Sequence, residues 1–315
     1  MIDLDRAAIE TRFAFQKALG AVEDAYIASA EARVTSPPVG HIAFDDANGD
    51  CHIKYGHIHG DGIFVIKIAT GFYDNTKKGL PSSNGMMLAF SAETGAPIAI
   101  LRDEGWLTDM RTGLGGALAS IALARNDFTN VLIVGAGLQC AFQAECLQKL
   151  VPDRRLAFSI WNRNVQGASE AAAKLHDSAI NADAVNDLKS ACGATDVIIT
   201  TTPSREALIK HEWIKPGTHI TAIGADSPGK QELDAALVAS ADLLVCDLKS
   251  QALDHGEFQH AFLAGDISTY QVIELGDVLS NAHPGRINDK QITLADLTGI
   301  AAQDIAITVS ILQSQ

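Results

Sequence analysis

The strongest constraint on the fold is a series of short, continuous apolar runs in the second half of the chain. NVLIV at 130–134, LAFSIW at 156–161, DVIIT at 196–200, HITAI at 219–223 and DLLVC at 242–246 have no polar alternation. Strands of that kind are buried on both faces of a sheet. Alanine-rich helical stretches separate several of them, and strand–helix alternation of this type gives a parallel α/β sheet. The first third reads differently. Residues 3–33 carry apolar positions at helical spacing, and Ser36-Pro37-Pro38 stops that helix. From about 39 to 103 the pattern is of short alternating strands, with a Gly-Asp-Gly turn at 60–62 and an Glu-Thr-Gly turn at 93–95. Residues 109–125 read as a small-residue helix that joins the two regimes.

The expected class is therefore α/β: a Rossmann-type doubly wound parallel sheet inserted into an α+β domain, to which the family resemblance given below adds the role of substrate binding and dimerisation. The inserted domain is placed at 118–287. The other is placed at 1–117 plus 288–315, because the apolar C-terminal stretch from 292 to 313 finds no obvious place in the α/β sheet.

Composition narrows the partners. With 24 Lys plus Arg against 38 Asp plus Glu, the formal charge is −14. An acidic surface of this kind disfavours a nucleic-acid partner. The acidic N-terminus lacks the basic start and apolar run of a signal peptide, and no run of about 18 apolar residues would span a bilayer. The five cysteines form no CxxC pair and read as buried small hydrophobes in a reducing, cytoplasmic setting. His57 and His59 share one strand face, but no third ligand is indicated and no metal site is expected.

The sharpest local motif follows the first run. Val134 leads into Gly135-Ala136-Gly137-Leu138-Gln139-Cys140, where a helix opens. Glycines there let the backbone turn and approach a pyrophosphate, which the helix N-terminus then holds. Cys140 stands where Gly or Ala is usual. The second strand ends at Trp161, so the ribose-reading position is Asn162, followed by Arg163. No acid is present to accept from a 2′-hydroxyl. Arg163 fits either a 2′-phosphate or a solvated loop, and the balance leans to NADP(H) over NAD(H).

Several further residues look chemical. Lys67 lies between Ile66 and Ile68, either on an exposed alternating face or in a site. Arg111 stands near a helix start, a place that disfavours cations, and so either binds an anion or pairs with Asp109 or another acid. The GLPSSNG turn at 79–85 is polar. Asp226 follows a strand at the sheet's carboxyl end, where ligands of open α/β sheets bind.

These strings together resemble the ornithine cyclodeaminase/mu-crystallin family over nearly the whole chain. The similarity lies in Ile66-Lys67 through Gly79-Leu80-Pro81-Ser82, in Leu107-Thr108-Asp109-Met110-Arg111-Thr112, and in the Gly135–Gln139 segment. It continues in Ile223-Gly224-Ala225-Asp226 through Lys230-Gln231-Glu232-Leu233-Asp234, and in Asp296-Leu297-Thr298-Gly299. The resemblance implies that Lys67 and Arg111 hold a substrate carboxylate, and that Asp226 is the acid/base. It implies cofactor contacts from Ser82, Arg111, Thr112, Gly135, Gly137, Leu138, Gln139, Asn162, Arg163, Thr201, Ile223, Gly224, Ala225 and Lys230. Thr298 matches a substrate-side position. A further family arginine, before the lysine strand, is missing. Lys54 or His41 stands available in its place.

The implied chemistry is hydride movement between a nicotinamide and the α-carbon of a small amino or imino acid, in a homodimer. The expected activity is a ketimine reductase, for instance toward 1-pyrroline-2-carboxylate, or the reverse amino-acid dehydrogenase. The alternatives are ornithine cyclodeaminase, which recycles NAD, and a non-catalytic crystallin-like binding protein.

Overall fold

The computed structural model describes residues 1–314, the side chain of Thr76 apart. The chain forms two compact units, residues 1–111 with 300 onward, and residues 112–299. The first contains β1 (Ile2–Asp5), α1 (Arg6–Arg12), α2 (Phe15–Ala30), β2 (Val34–Thr35), β3 (Gly40–Phe44), β4 (Gly49–Ile58), β5 (Ile63–Phe72), β6 (Ser83–Ser91) and β7 (Pro97–Arg102). Helix α3 (Trp106–Leu123) carries the boundary. The second unit continues with β8 (Asn130–Val134), α4 (Leu138–Leu150), β9 (Ala157–Trp161), α5 (Val165–Asp177), β10 (Ala182–Val185), α6 (Leu188–Ala194), β11 (Val197–Thr200), β12 (Arg205–Ile209) and β13 (His219–Ala222). It ends with β14 (Gln231–Leu233), α7 (Ala235–Ser240), β15 (Leu243–Cys246), α8 (Lys249–Asp254), α9 (Gln259–Ala264), β16 (Val272–Glu274), α10 (Leu275–Leu279) and β17 (Thr293–Asp296). Helix α11 (Ala301–Leu312) returns to the first unit.

In the first unit, seven strands form one sheet in the order β1-β7-β6-β5-β4-β2, with β3 also on β4. It is antiparallel except for β1, which runs parallel to β7. Helix α11 packs on β4, β5 and β6 and against α2. Its residues from Ala301 to Thr308 are all buried. A helix apolar almost all round belongs inside a core, so its polar Gln303 and Asp304 must find partners there.

In the second unit, eight parallel strands run in the order β10-β9-β8-β11-β13-β17-β15-β16. Strand order reverses between β8 and β11, the topological switch point of a doubly wound sheet. The apolar runs of the sequence occupy the centre, where β8, β11, β13 and β15 are buried at nearly every position. The small parallel pair β12-β14 stands apart.

Three expectations need correction. Residues 3–33 are not one helix: β1 comes first, Asp5 caps α1 by accepting from the Ala8 amide at 2.9 Å, and the helix breaks at Phe13-Ala14. The segment at 292–299 does not return to the first unit. It forms β17, between β13 and β15, because Thr293, Leu294, Ala295 and Asp296 are all buried as a central strand must be. The unit boundaries accordingly fall at 111/112 and 299/300 rather than 117/118 and 287/288. Among the described residues, no helix is long and apolar enough to cross a membrane.

Candidate functional site

In the second unit, β8 runs into Gly135, whose φ of +121° belongs to the region that favours glycine. A Cβ there would lie 2.6 Å from the Thr201 hydroxyl, so the close approach of β8 and the end of β11 requires glycine. Gly137 caps α4 with no side-chain cap bond, and a Cβ on it would meet nothing within 4 Å. The helix end thus opens onto space, as a cradle for a phosphate requires. That space is a cleft of about 750 Å³ lined by Gly135–Gly137, Trp161–Asn164 and Thr201–Arg205. It lies at the switch point, and its size and backbone-rich wall fit a dinucleotide.

The structure therefore gathers Gly135, Gly137, Asn162, Arg163 and Thr201 around one cleft. Arg163 is exposed there, beside a second exposed arginine, Arg205, that sequence reasoning missed. Leu138, Gln139, Ile223, Gly224, Ala225 and Lys230 do not line this cleft. Cys140 is buried in α4 and burial pushes its thiol up to about 12, so it packs as a small apolar residue.

A buried acid braces Thr202, one of the residues that line the cleft. Both oxygens of Glu232 on β14 accept hydrogen bonds: Oε2 from Thr200 Oγ1 (2.6 Å) and the Gly224 amide (2.8 Å), Oε1 from the Thr202 amide (2.6 Å) and Thr202 Oγ1 (2.7 Å). One carboxylate thus ties the end of β11 to the loop after β13. Burial pushes its carboxyl up, against the opposing pull of these donors. Sequence reasoning had quoted Glu232 without giving it a role.

Asp226 lies beyond β13, half-exposed. Lys230 Nζ sits 2.5 Å from its Oδ1, and the Ser227 hydroxyl donates to the same oxygen. Lys230, expected on the cofactor, is thus placed on Asp226. Thr298 is buried and donates to Asp247 Oδ1 at 3.1 Å while accepting from Gln251 Nε2 at 2.8 Å. Thr112 accepts through its carbonyl from Gln143 Nε2.

In the first unit, the alternation of β5 turns Lys67 to the same face as buried Val65, toward α11. Lys67 Nζ lies 2.9 Å from Asp304 Oδ2, and Arg111 Nε lies 3.1 Å from Asp304 Oδ1. Arg111 Nη1 donates to Gln303 Oε1 at 3.3 Å, and Gln303 Nε2 donates to the Arg111 carbonyl and to the Tyr26 hydroxyl. Arg111 Nη2 has no partner among the described residues. Lys54 is the cross-strand partner of Lys67 and is also buried. Lys54, Lys67 and Arg111 all act electrostatically on Asp304. Burial, with Arg111 and Lys54 nearby, lowers the Lys67 ammonium to about 7 against the opposing pull of Asp304. The same cations hold Asp304 below the usual carboxylate range.

Of the two stand-ins for the missing arginine, Lys54 joins this cluster. His41 is exposed at the sheet's rim against His52. Ser82 accepts through its carbonyl from the Phe72 amide. Asp304 was missed by sequence reasoning, although an acid inside an otherwise apolar helix was a usable signal.

The ornithine cyclodeaminase/mu-crystallin family model matches residues 2–314. Alanine dehydrogenase from Archaeoglobus fulgidus is 35% identical over 310 residues, 96% of this chain and 92% of that protein. The structure resembles an archaeal alanine dehydrogenase dimer with bound NAD, with a TM-score of 0.89, 32% identity, and coverage of 100% of this chain and 95% of that one. It also resembles Thermococcus litoralis Delta(1)-pyrroline-2-carboxylate reductase in complex with NADH and L-proline, with a TM-score of 0.91, 27% identity, and coverage of 100% and 97%. The chain belongs to the ornithine cyclodeaminase/mu-crystallin family.

Proposed function

We propose that the protein is an NAD(P)H-dependent oxidoreductase acting at the Cα–N bond of a small imino or amino acid. The observation that carries this is the pair of buried cations, Lys67 and Arg111, gathered on the single carboxylate of Asp304. Uncompensated buried charge is costly, and a carboxylate ligand relieves it through charge-assisted bonds. Lys67 and the Nη2 edge of Arg111 hold that carboxylate. Asp304 orients both cations without neutralising them.

A nicotinamide cofactor held in the cleft would provide the hydride chemistry at the substrate α-carbon. In the reductive direction the imine nitrogen gains one proton as Cα gains hydride. Asp226 manages that proton, exchanging it with solvent to which it is half open, and Lys230 fixes its orientation. A cyclic ketimine such as 1-pyrroline-2-carboxylate is the favoured substrate class, in keeping with the similarity to a reductase of that compound. The absence of an acid at Asn162, with Arg163 and Arg205 on the same cleft, supports NADP(H) as the preferred cofactor. The protein is read as a cytoplasmic homodimer. The five buried thiols support a reducing compartment, and a related alanine dehydrogenase is described as a dimer.

The test is NAD(P)H oxidation at 340 nm with 1-pyrroline-2-carboxylate, and with pyruvate plus ammonia. Ammonia release from ornithine without net NAD(P)H consumption would establish the cyclodeaminase instead. Inactivity toward every substrate, with cofactor still bound, would favour the crystallin-like binding protein.

A further inference from the structure

We propose that His41, Asp50 and His52 form a binding site for a divalent transition-metal ion of the zinc class. His41 on β3 and His52 on β4 are direct partners in the antiparallel register. Residues so paired bring their side chains together on one face. Asp50 precedes His52 by two residues on β4, and the two-residue period of a strand puts it on that same face. One ligand atom from each of the three lies within 4.8 Å of the others. The two imidazole rings have centroids 4.8 Å apart, tilted at 51°.

The spacing between His52 and Asp50 is informative. His52 Nε2 and Asp50 Oδ1 are 3.6 Å apart, too far for a direct hydrogen bond. Two ligands about 2.1 Å from a tetrahedral ion stand roughly 3.4 Å apart, so this gap accommodates an ion between them after a small side-chain adjustment. The other carboxylate oxygen, Oδ2, accepts from the Tyr73 hydroxyl at 3.0 Å. That bond leaves Oδ1 toward His52, in the manner of an outer-sphere partner that orients a metal-binding carboxylate.

The donor set selects the ion. Two imidazoles and one carboxylate suit zinc and its first-row neighbours, whereas magnesium and calcium prefer an all-oxygen shell. Three protein ligands leave at least one position for water or another ligand. The face is also the one that carries Lys54, two residues beyond His52, and Lys67 opposite it.

The test uses full-length protein stripped with a chelator and titrated with Zn(II) by calorimetry and with Co(II) by visible absorption. One ion per chain is expected, with Co(II) bands of a low-coordinate nitrogen–oxygen site. His41→Ala and His52→Ala should each weaken binding at least tenfold, and Tyr73→Phe should weaken it about 10- to 100-fold through the outer sphere. His57→Ala should bind as the parent does. Matching thermal melts without metal show that each variant folds, and His41, exposed at the rim, is the variant least dependent on packing. No saturable binding in the parent, or binding that survives both histidine substitutions, overturns the proposal. The readout does not depend on catalytic activity, so its failure is separate from that of the proposed reaction.

Discussion

Lys67 Nζ and Asp304 Oδ2 meet 2.9 Å apart with both side chains all but sealed from solvent. The pair joins the middle strand of the first unit's sheet to its terminal helix, and Arg111 shares the same carboxylate. Asp304→Ala would leave these cations buried without their acid. A loss of about 3–5 kcal/mol is expected from breaking such a pair. Urea denaturation measures it, and an unchanged midpoint would show that the carboxylate is not the clamp.

Lys67 has its ammonium lowered to about 7. Its charged form, which anchors the carboxylate, is therefore lost as pH rises through that value. In the free enzyme kcat/KM should fall above about pH 7. Lys67→Arg, which stays charged, should move that falling limb to higher pH, whatever it does to the plateau. Asp304→Asn removes the charge that raises the Lys67 ammonium and should move the limb to lower pH. A profile identical in all three proteins contradicts the assignment.

His219 is fully buried between Thr221 and Thr293, its ring nitrogens 2.8 and 2.9 Å from their hydroxyls. Burial lowers its imidazolium from 6.5 to about 3. Between those values the unfolded chain binds the proton and the folded chain does not, so this residue makes stability fall as pH falls. Its share of the slope approaches about 1.4 kcal/mol per pH unit. Comparing unfolding free energies at pH 7 and pH 5 for the parent and His219→Gln isolates it from the buried acids, whose raised values act in the opposite sense. Equal pH slopes would count against a neutral His219.

Glu232→Gln replaces an acceptor-only group by an amide that brings two unwanted donors to a nest of amides and hydroxyls. Bonds to a charged acceptor are worth about 1.5–3 kcal/mol. NAD(P)H affinity, read by fluorescence titration, should therefore weaken at least about tenfold. The KM for the imino acid, measured at saturating cofactor, should change much less. A loss confined to thermal stability would reduce Glu232 to a structural acid.

Arg163→Ala should raise the KM for NADPH about tenfold and leave that for NADH nearly unchanged, since only the former carries a 2′-phosphate to pair with. Equal effects on both cofactors would mark Arg163 as a solvated loop cation.

The parallel sheet was readable because its strands are apolar without interruption, and the Gly135–Gly137 turn because glycine there has a steric reason. The place of β17 escaped because Thr293-Leu294-Ala295-Asp296 is short and chain order suggested that the whole stretch left the sheet; only its neighbours β13 and β15 reveal where it belongs. In the same way Lys67 was ambiguous by alternation, since a strand has two faces and nothing local says which is covered. Helix α11 decides it, from almost the far end of the chain. Glu232 and Asp304 act through partners remote in sequence, so spacing could not expose them. Lys54 was nameable only as a stand-in for the missing family arginine, and its pairing with Lys67 is a matter of register.

Helix α11 also bears on biogenesis. The first unit is encoded in two pieces, with all of the second unit emerging between them. Its sheet is made early, yet the helix that fills its core and the acid that answers Lys67 and Arg111 are translated only after the whole second unit. During synthesis the ribosome therefore holds a sheet with an unfilled apolar face and buried-to-be cations, while the second unit has all of its own strands. Completion of the first unit waits for α11 to emerge, a long-range closure of the slow kind. Truncations that remove part of α11 should thus be felt as failed maturation of the sheet made long before it.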